Sequence, residues 1–174
     1  MPLAWADAGG IVGRGVLLDY ASWIEQTDRK LPAAFETNSI PASVLQQVAE
    51  FQGTSIQPGD ILFVRTGWVR AYENLPEAGR QKLAECNPPP AIGIESSEET
   101  LKWIWNSGFA AVAGDQPSFE AWPCRNQGFW LHEWLLSGWG MPIGEIFDLE
   151  RLSRECQKRG RWSFFFSSMP LKVS

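Results

Sequence analysis

The sequence predicts an α/β domain, on three observations. Short apolar runs with β-compatible residues recur along the chain: Val16 to Leu18, Ile61 to Thr66, Phe109 to Ala113, Ile143 to Phe147 and Trp162 to Ser167. Segments with apolar residues at helical spacing alternate with them. Glycine or proline punctuates almost every junction, as turns require.

The elements follow in order. Gly9 to Gly15 forms a glycine-rich entry into a strand running to Asp19. These glycines precede the strand and lack both GxGxxG and a GK[ST] ending, so they do not make a phosphate loop. Ser22 to Lys30 reads as a short helix or turn. A stronger helix begins near Pro41, with Ser39 as candidate N-cap, Val44, Leu45, Val48 and Phe51 on one side, and Gly53 as its stop. Pro58-Gly59-Asp60 turns into the strand Ile61 to Thr66, which Gly67 and Trp68 follow. Tyr72 to Cys86 has helical spacing, and Asn87-Pro88-Pro89-Pro90 breaks it. Pro88 to Gly93 is expected to be the most flexible loop. Ser97 caps a helix reaching Ser107, since Glu98 and Glu99 suit its N-terminal dipole and Gly108 its end. Phe109 to Ala113 is a strand closed by Gly114-Asp115. A helix over Phe129 to Ser137, a turn at Gly138 to Pro142, a strand over Ile143 to Phe147, a charged helix over Leu149 to Arg159 and a strand from Trp162 complete the pattern, with Met169 to Val173 as a possible continuation.

The 174 residues suffice for one compact domain. Ten tryptophans and ten phenylalanines supply large apolar area for a core or for a ligand cleft. A net charge of −5 argues against a nucleic-acid binder. The basic group Arg151, Arg154, Lys158, Arg159 and Arg161 is interrupted by Glu150 and Glu155 and reads as a solvated helix face. Three scattered cysteines, Cys86, Cys124 and Cys156, make neither a disulfide framework nor a thiolate zinc site. No apolar stretch approaches the roughly 20 residues of a membrane span, and MPLAWADAGG is not a secretory signal. The expected setting is the reduced cytoplasm.

Two places carry chemistry. His132 is the single histidine, on a helix that turns into Ile143-Gly144-Glu145-Ile146. A carboxylate in an apolar strand is rare unless it is paired or metal-bound, so His132 and Glu145 read as half of a metal site. The plainer reading is that Glu145 caps a backbone group or pairs with an arginine. The second place is Gly114-Asp115-Gln116-Pro117-Ser118 at a strand end, where open α/β sheets bind ligands. There Asp115 or Ser118 orients a ligand or a histidine, or else Asp115 merely shapes a turn. A Ser-His-Asp or GxSxG arrangement is not visible.

Six segments in register resemble the cyclase superfamily that includes bacterial kynurenine formamidase and isatin hydrolase. They are GRGVLLD (Gly13 to Asp19), GDILFVRTGW (Gly59 to Trp68), GIESSEETLKWI (Gly93 to Ile104), AGDQPSFEAWP (Ala113 to Pro123), LHEWLLSGWGMPIGE (Leu131 to Glu145) and FFFSSMPLKV (Phe164 to Val173). The aromatic-rich wording resembles most the fungal branch. The resemblance implies a swivelling β/β/α-type domain, with a mixed sheet flanked by helices, assembled as a homo-oligomer. It implies a divalent-metal hydrolase, with zinc or manganese, acting on an amide or lactam carbon–nitrogen bond of a small-molecule substrate, as an arylformamidase does. By matching position, His132 and Glu145 become metal ligands, and Thr66, Gly67, Trp68, Asp115 and Ser118 lie near the substrate pocket. That family's remaining ligands come from an HxGTHxD…H segment ahead of the first strand. Only twelve residues precede Gly13 here and none is histidine, so residues 1–174 are expected to be a single domain incomplete at both ends. Two other readings stay open: a catalytically inactive homologue serving as a binding or interaction protein, and a cyclase or dehydratase of a secondary-metabolite pathway.

Overall fold

A computed structural model describes Asp7 and residues 9–169. Its centre is a five-stranded mixed sheet built from β1 (Ile11–Asp19), β3 (Ile61–Arg65), β5 (Ala111–Gly114), β6 (Ile143–Gly144) and β7 (Ser163–Ser168), in the order β6-β5-β3-β1-β7. The first four run parallel, and β7 closes the edge antiparallel to β1. A smaller parallel pair joins β2 (Ser39–Ile40) to β4 (Gly93–Ile94). Helices α1 (Tyr20–Gln26) and α2 (Ala42–Phe51) link β1 to β3. Three more, α3 (Trp68–Glu73), α4 (Glu77–Glu85) and α5 (Glu98–Ser107), link β3 to β5. Helix α6 (Glu150–Arg159) carries the chain to β7. The mixed sheet flanked by helices is the architecture that the resemblance implied.

Strand periodicity explains why the apolar runs are continuous. Neighbouring side chains on a strand point to opposite faces, so a strand buried on both sides needs no polar alternation. Val16, Leu18, Leu62, Val64 and Val112 join the larger core under α1, α2 and α5. Leu17, Ile61, Phe63, Ala111 and Ala113 face the other way, against Leu149 and Cys156, with Phe147, Phe164 and Phe166 packed at the margin. Each fully buried valine, leucine, isoleucine or phenylalanine among them, taken from water, contributes about 1.5–3 kcal/mol.

Several local expectations change. The helix expected over Tyr72 to Cys86 is two helices, α3 and α4, separated around Pro76, whose ring and missing N–H exclude a helix interior. Ser39 lies in β2 rather than capping α2, and Pro41 holds the N-cap place without a side-chain bond. The segment expected to be flexible is tied down: Ala91 N–H donates to the Trp122 carbonyl at 2.9 Å, and Ile92 N–H to the Ala34 carbonyl at 3.0 Å. The last parallel strand stops at Gly144, which leaves Glu145 in a loop. Ser97 does cap α5, accepting from Thr100 N–H at 3.2 Å, and Gly108 ends it in the left-handed region. Of the expected continuation Met169 to Val173, Met169 lies outside β7, and the rest falls outside the described residues. Among the described residues, no helix is long and apolar enough to cross a membrane.

Candidate active site

The carboxyl ends of the parallel strands carry Thr66 and Gly67 after β3, Asp115 to Ser118 after β5 and Glu145 after β6. Parallel sheets gather ligand-binding loops at this edge. A cavity of about 320 Å³ opens there, lined by Pro89, Pro117, Ser118, Trp122, Trp130, His132 and Glu145.

His132 stands at the start of a π-helical turn, Glu133–Gly138, a geometry enriched at functional sites. Leu131 and Leu135, both fully buried, pin this turn to the core, and His132 lines the cavity. Both ring nitrogens face carboxylates. Nδ1 lies 2.8 and 2.7 Å from the two oxygens of Glu120, and Nε2 lies 3.1 Å from Glu145 Oε1. Glu120 is fully buried in the segment that pairs with β4 through Ile94. Gly93 lets this segment approach, because a Cβ there would collide with the Glu120 backbone. Glu145 is held from the other side: its Oε1 accepts from Phe119 N–H at 3.1 Å. Ile146 beside it has φ +54, a strained value for a β-branched residue, and its N–H donates to the Gln116 carbonyl at 3.2 Å.

Hydrogen bonds donated by the ring to Glu120, and then to Glu145, raise the His132 pKa to about 10, overcoming the opposing effect of burial. A raised pKa means that the imidazolium stabilises the fold. That contribution is fully present below pH 6.5 and is lost as pH rises through about 10. The chain has one histidine, so its imidazole gives a single set of NMR signals. In metal-free protein their titration midpoint is expected near 10. A midpoint near the ordinary histidine value would mean that the two carboxylates do not grip the ring in solution.

The other residues singled out from the sequence divide. Ser118 lines the cavity with His132 and Glu145. Asp115 is fully buried behind them: Oδ1 accepts from Thr66 N–H at 2.6 Å and Thr66 Oγ1–H at 2.8 Å, and Oδ2 accepts from Gly67 N–H at 2.9 Å. Burial pushes the Asp115 carboxyl up, against these bonds and the nearby Arg65 charge. Asp115 thus stitches the end of β5 to the turn after β3, where Gly67 takes φ +86. Trp68 opens α3 and lines a neighbouring cavity. Sequence reasoning passed over Glu120, although the signal used for Glu145 was there: a lone carboxylate inside the aromatic segment Phe119 to Trp122.

A divalent cation finds donors of the right kind here, imidazole nitrogen and carboxylate oxygen. In the charged imidazole both ring nitrogens carry a proton; a cation would displace the one on Nε2, and Glu120 accepting from Nδ1–H would leave Nε2 as the ligand, the usual arrangement of a ligating histidine. In number the donors fall short. A catalytic zinc ion takes about three protein ligands, and no group of three or more such side chains is placed to hold a metal among the described residues.

Three solved structures share the fold. One, described as a novel cyclase, is 33% identical, with TM-score 0.77 over 94% of this chain and 49% of that one. Isatin hydrolase A from Labrenzia aggregata, bound to benzyl benzoate, is 15% identical, with TM-score 0.66 over 97% of this chain and 57% of that one. An isatin hydrolase bound to the product analogue thioisatinate is 13% identical, with TM-score 0.62 over 94% and 55%. The chain therefore spans about half the length of these proteins. In sequence, no curated protein matches it. The family model "Cyclase: Putative cyclase" matches residues 4–121, most of the chain. On that match, and on a fold shared with a 33%-identical cyclase structure, this chain belongs to the cyclase family.

Proposed function

We propose that the chain carries part of the active site of a hydrolase that cleaves an amide or lactam carbon–nitrogen bond in a small planar substrate with the help of zinc or manganese. The row Glu120–His132–Glu145, whose last two members line an aromatic cavity, carries this reading. His132 Nε2 and the Glu145 carboxylate would hold the cation, and Glu120 would keep the proton on Nδ1. When bound, such a cation supplies Lewis acidity and lowers the pKa of its water to about 7. The protein's own share is positioning. Trp122 and Trp130 have ring centroids 6.1 Å apart, and with Pro89 and Pro117 they offer an apolar bed for a flat ring. Ser118 Oγ and Trp130 Nε1 are buried without hydrogen-bond partners. A substrate carbonyl that paired with either would recover a cost of roughly 1–3 kcal/mol. The isatin hydrolases of similar fold support the choice of bond.

One observation favours a second reading, a binding protein without catalysis: His132 and Glu145 have no third metal-binding partner among the described residues. Elemental analysis and turnover separate the two. The hydrolase reading expects near one zinc or manganese per chain and hydrolysis of isatin or N-formylkynurenine. It also expects Glu145→Gln to lower turnover while circular dichroism shows the fold intact. Stable protein with neither metal nor turnover would establish the binding reading instead.

A further inference from the structure

The aromatic cavity has a neighbour. A second cavity of about 200 Å³ is lined by Trp68, Tyr72, Arg80, Leu83, Ala84, Pro89, Pro90 and Pro117. Pro89 and Pro117 belong to both walls, so the two spaces lie on either side of one proline ridge. Trp68 and Tyr72 sit four residues apart on α3 and stack, centroids 5.2 Å apart and planes within 8°. Phe35 meets the Trp68 ring edge-on at 5.8 Å. The Arg80 guanidinium lies 5.2 Å from the Tyr72 ring centre. Its Nε and Nη2 donate to the carbonyls of Leu75 and Glu73, which fixes the guanidinium in place. Trp68 is nine-tenths buried, yet its indole N–H has no partner, as is true of Trp130 across the ridge. Helix α4 buries none of its residues fully and turns Leu83 and Ala84 to this cavity.

These features suit a flat apolar group. An engineered apolar cavity of about 150 Å³ is large enough for benzene, so this one accommodates a ring. Stacked aromatics and a fixed guanidinium favour ring faces over aliphatic chains. Of the residues lining the second cavity Arg80 alone is charged, and its guanidinium is already held by the Leu75 and Glu73 carbonyls and lies over the Tyr72 ring.

We propose that the amide pocket continues over the Pro89/Pro117 ridge into a second subsite, walled by Trp68, Tyr72 and Leu83, that takes an aromatic ring carried by the substrate beyond its scissile amide. This rests on the hydrolase reading of the first cavity and deepens it: the substrate class becomes a two-ring aryl amide rather than a single-ring lactam.

The test compares formanilide, with one ring, and 4-phenylformanilide, with two, by titration calorimetry on the full chain. The two-ring probe is expected to bind about tenfold tighter or more, from the added apolar burial. Leu83→Trp, on the surface of α4, should fill the subsite and abolish that gain while formanilide keeps its wild-type affinity. Tyr72→Ala, at an exposed position, should reduce the gain by removing a stacking face. Equal affinity of the two probes for the wild type, or a gain that survives Leu83→Trp, would overturn the subsite. Failure of both probes to bind would overturn the amide pocket and the subsite together. A gain that behaves as expected without any hydrolysis would sustain the subsite and remove only the hydrolase reading.

Discussion

Arg65→Met is expected to destabilise the fold by about 3–5 kcal/mol. Arg65 ends β3 and is buried, its side chain 3% exposed. Its Nη1 donates to Asp19 Oδ1 at 2.7 Å and to Ser22 Oγ at 3.1 Å. Its Nε and Nη2 grip Glu150 on α6 in a two-pronged pair at 2.7 and 2.9 Å. Burial alone would lower the Arg65 pKa, but the hydrogen bonds and charges of Glu150 and Asp19 outweigh it and hold the pKa above its usual value. Ser153 on α6 donates to Asp19, and Gln157 reaches Ser22 at 2.8 Å, so the network ties α6 to the ends of β1 and β3. Methionine fills the volume but leaves the Asp19 and Glu150 carboxylates facing one another without their shared cation. Against a typical total of about 5–15 kcal/mol, that loss is severe. Urea denaturation measures it as a lower midpoint with an unchanged slope. An unfolding free energy within about 0.5 kcal/mol of wild type would mean that water solvates the two acids and that the network adds nothing. Glu150→Gln should cost less, because Glu150 is 16% exposed and the Asp19 pair survives.

The second large effect concerns metal binding. His132→Ala is expected to abolish zinc binding, since it removes one of the two donors on the cavity wall and leaves only Glu145. Glu120→Gln is the more discriminating change. Glu120 touches the far side of the imidazole, so it acts by orienting the ring and fixing its proton. Loss of such a partner usually lowers metal affinity by about 10–100-fold. Competition with a chromogenic chelator measures both variants. Unchanged affinity in His132→Ala would refute the assignment. Unchanged affinity in Glu120→Gln, with binding lost in His132→Ala, would show that the ring needs no carboxylate to hold it.

The same residues show how far the sequence could be read. His132, Glu145 and Ser118 were singled out by type and position, and the fold brings all three to one cavity. Two of them stood out by breaking a local rule, a lone histidine and a carboxylate in an apolar strand context, and Ser118 by its place after a strand end. Glu120 broke the same rule and was missed, since nothing in the adjacent sequence says that it meets a residue twelve positions later. Asp115, Thr66 and Gly67 were rightly placed at strand ends, but hydrogen bonding turns them toward one another.

The sequence alone determined several of the main elements. The runs at Val16, Ile61 and Ala111, the Ser97 cap and the Gly108 stop depend on local periodicity and backbone preference, which a chain carries without knowing its neighbours. Strand pairing decided the rest. Asp19 and Arg65 are 46 residues apart and become partners only because β1 and β3 run parallel in one register. Glu120 and Glu145 close on His132 because the segment after β5 bridges to β4 at Ile94 and β6 pairs with β5. A buried charge is tolerable only where another element supplies its counterpart, and only the assembled sheet specifies that counterpart.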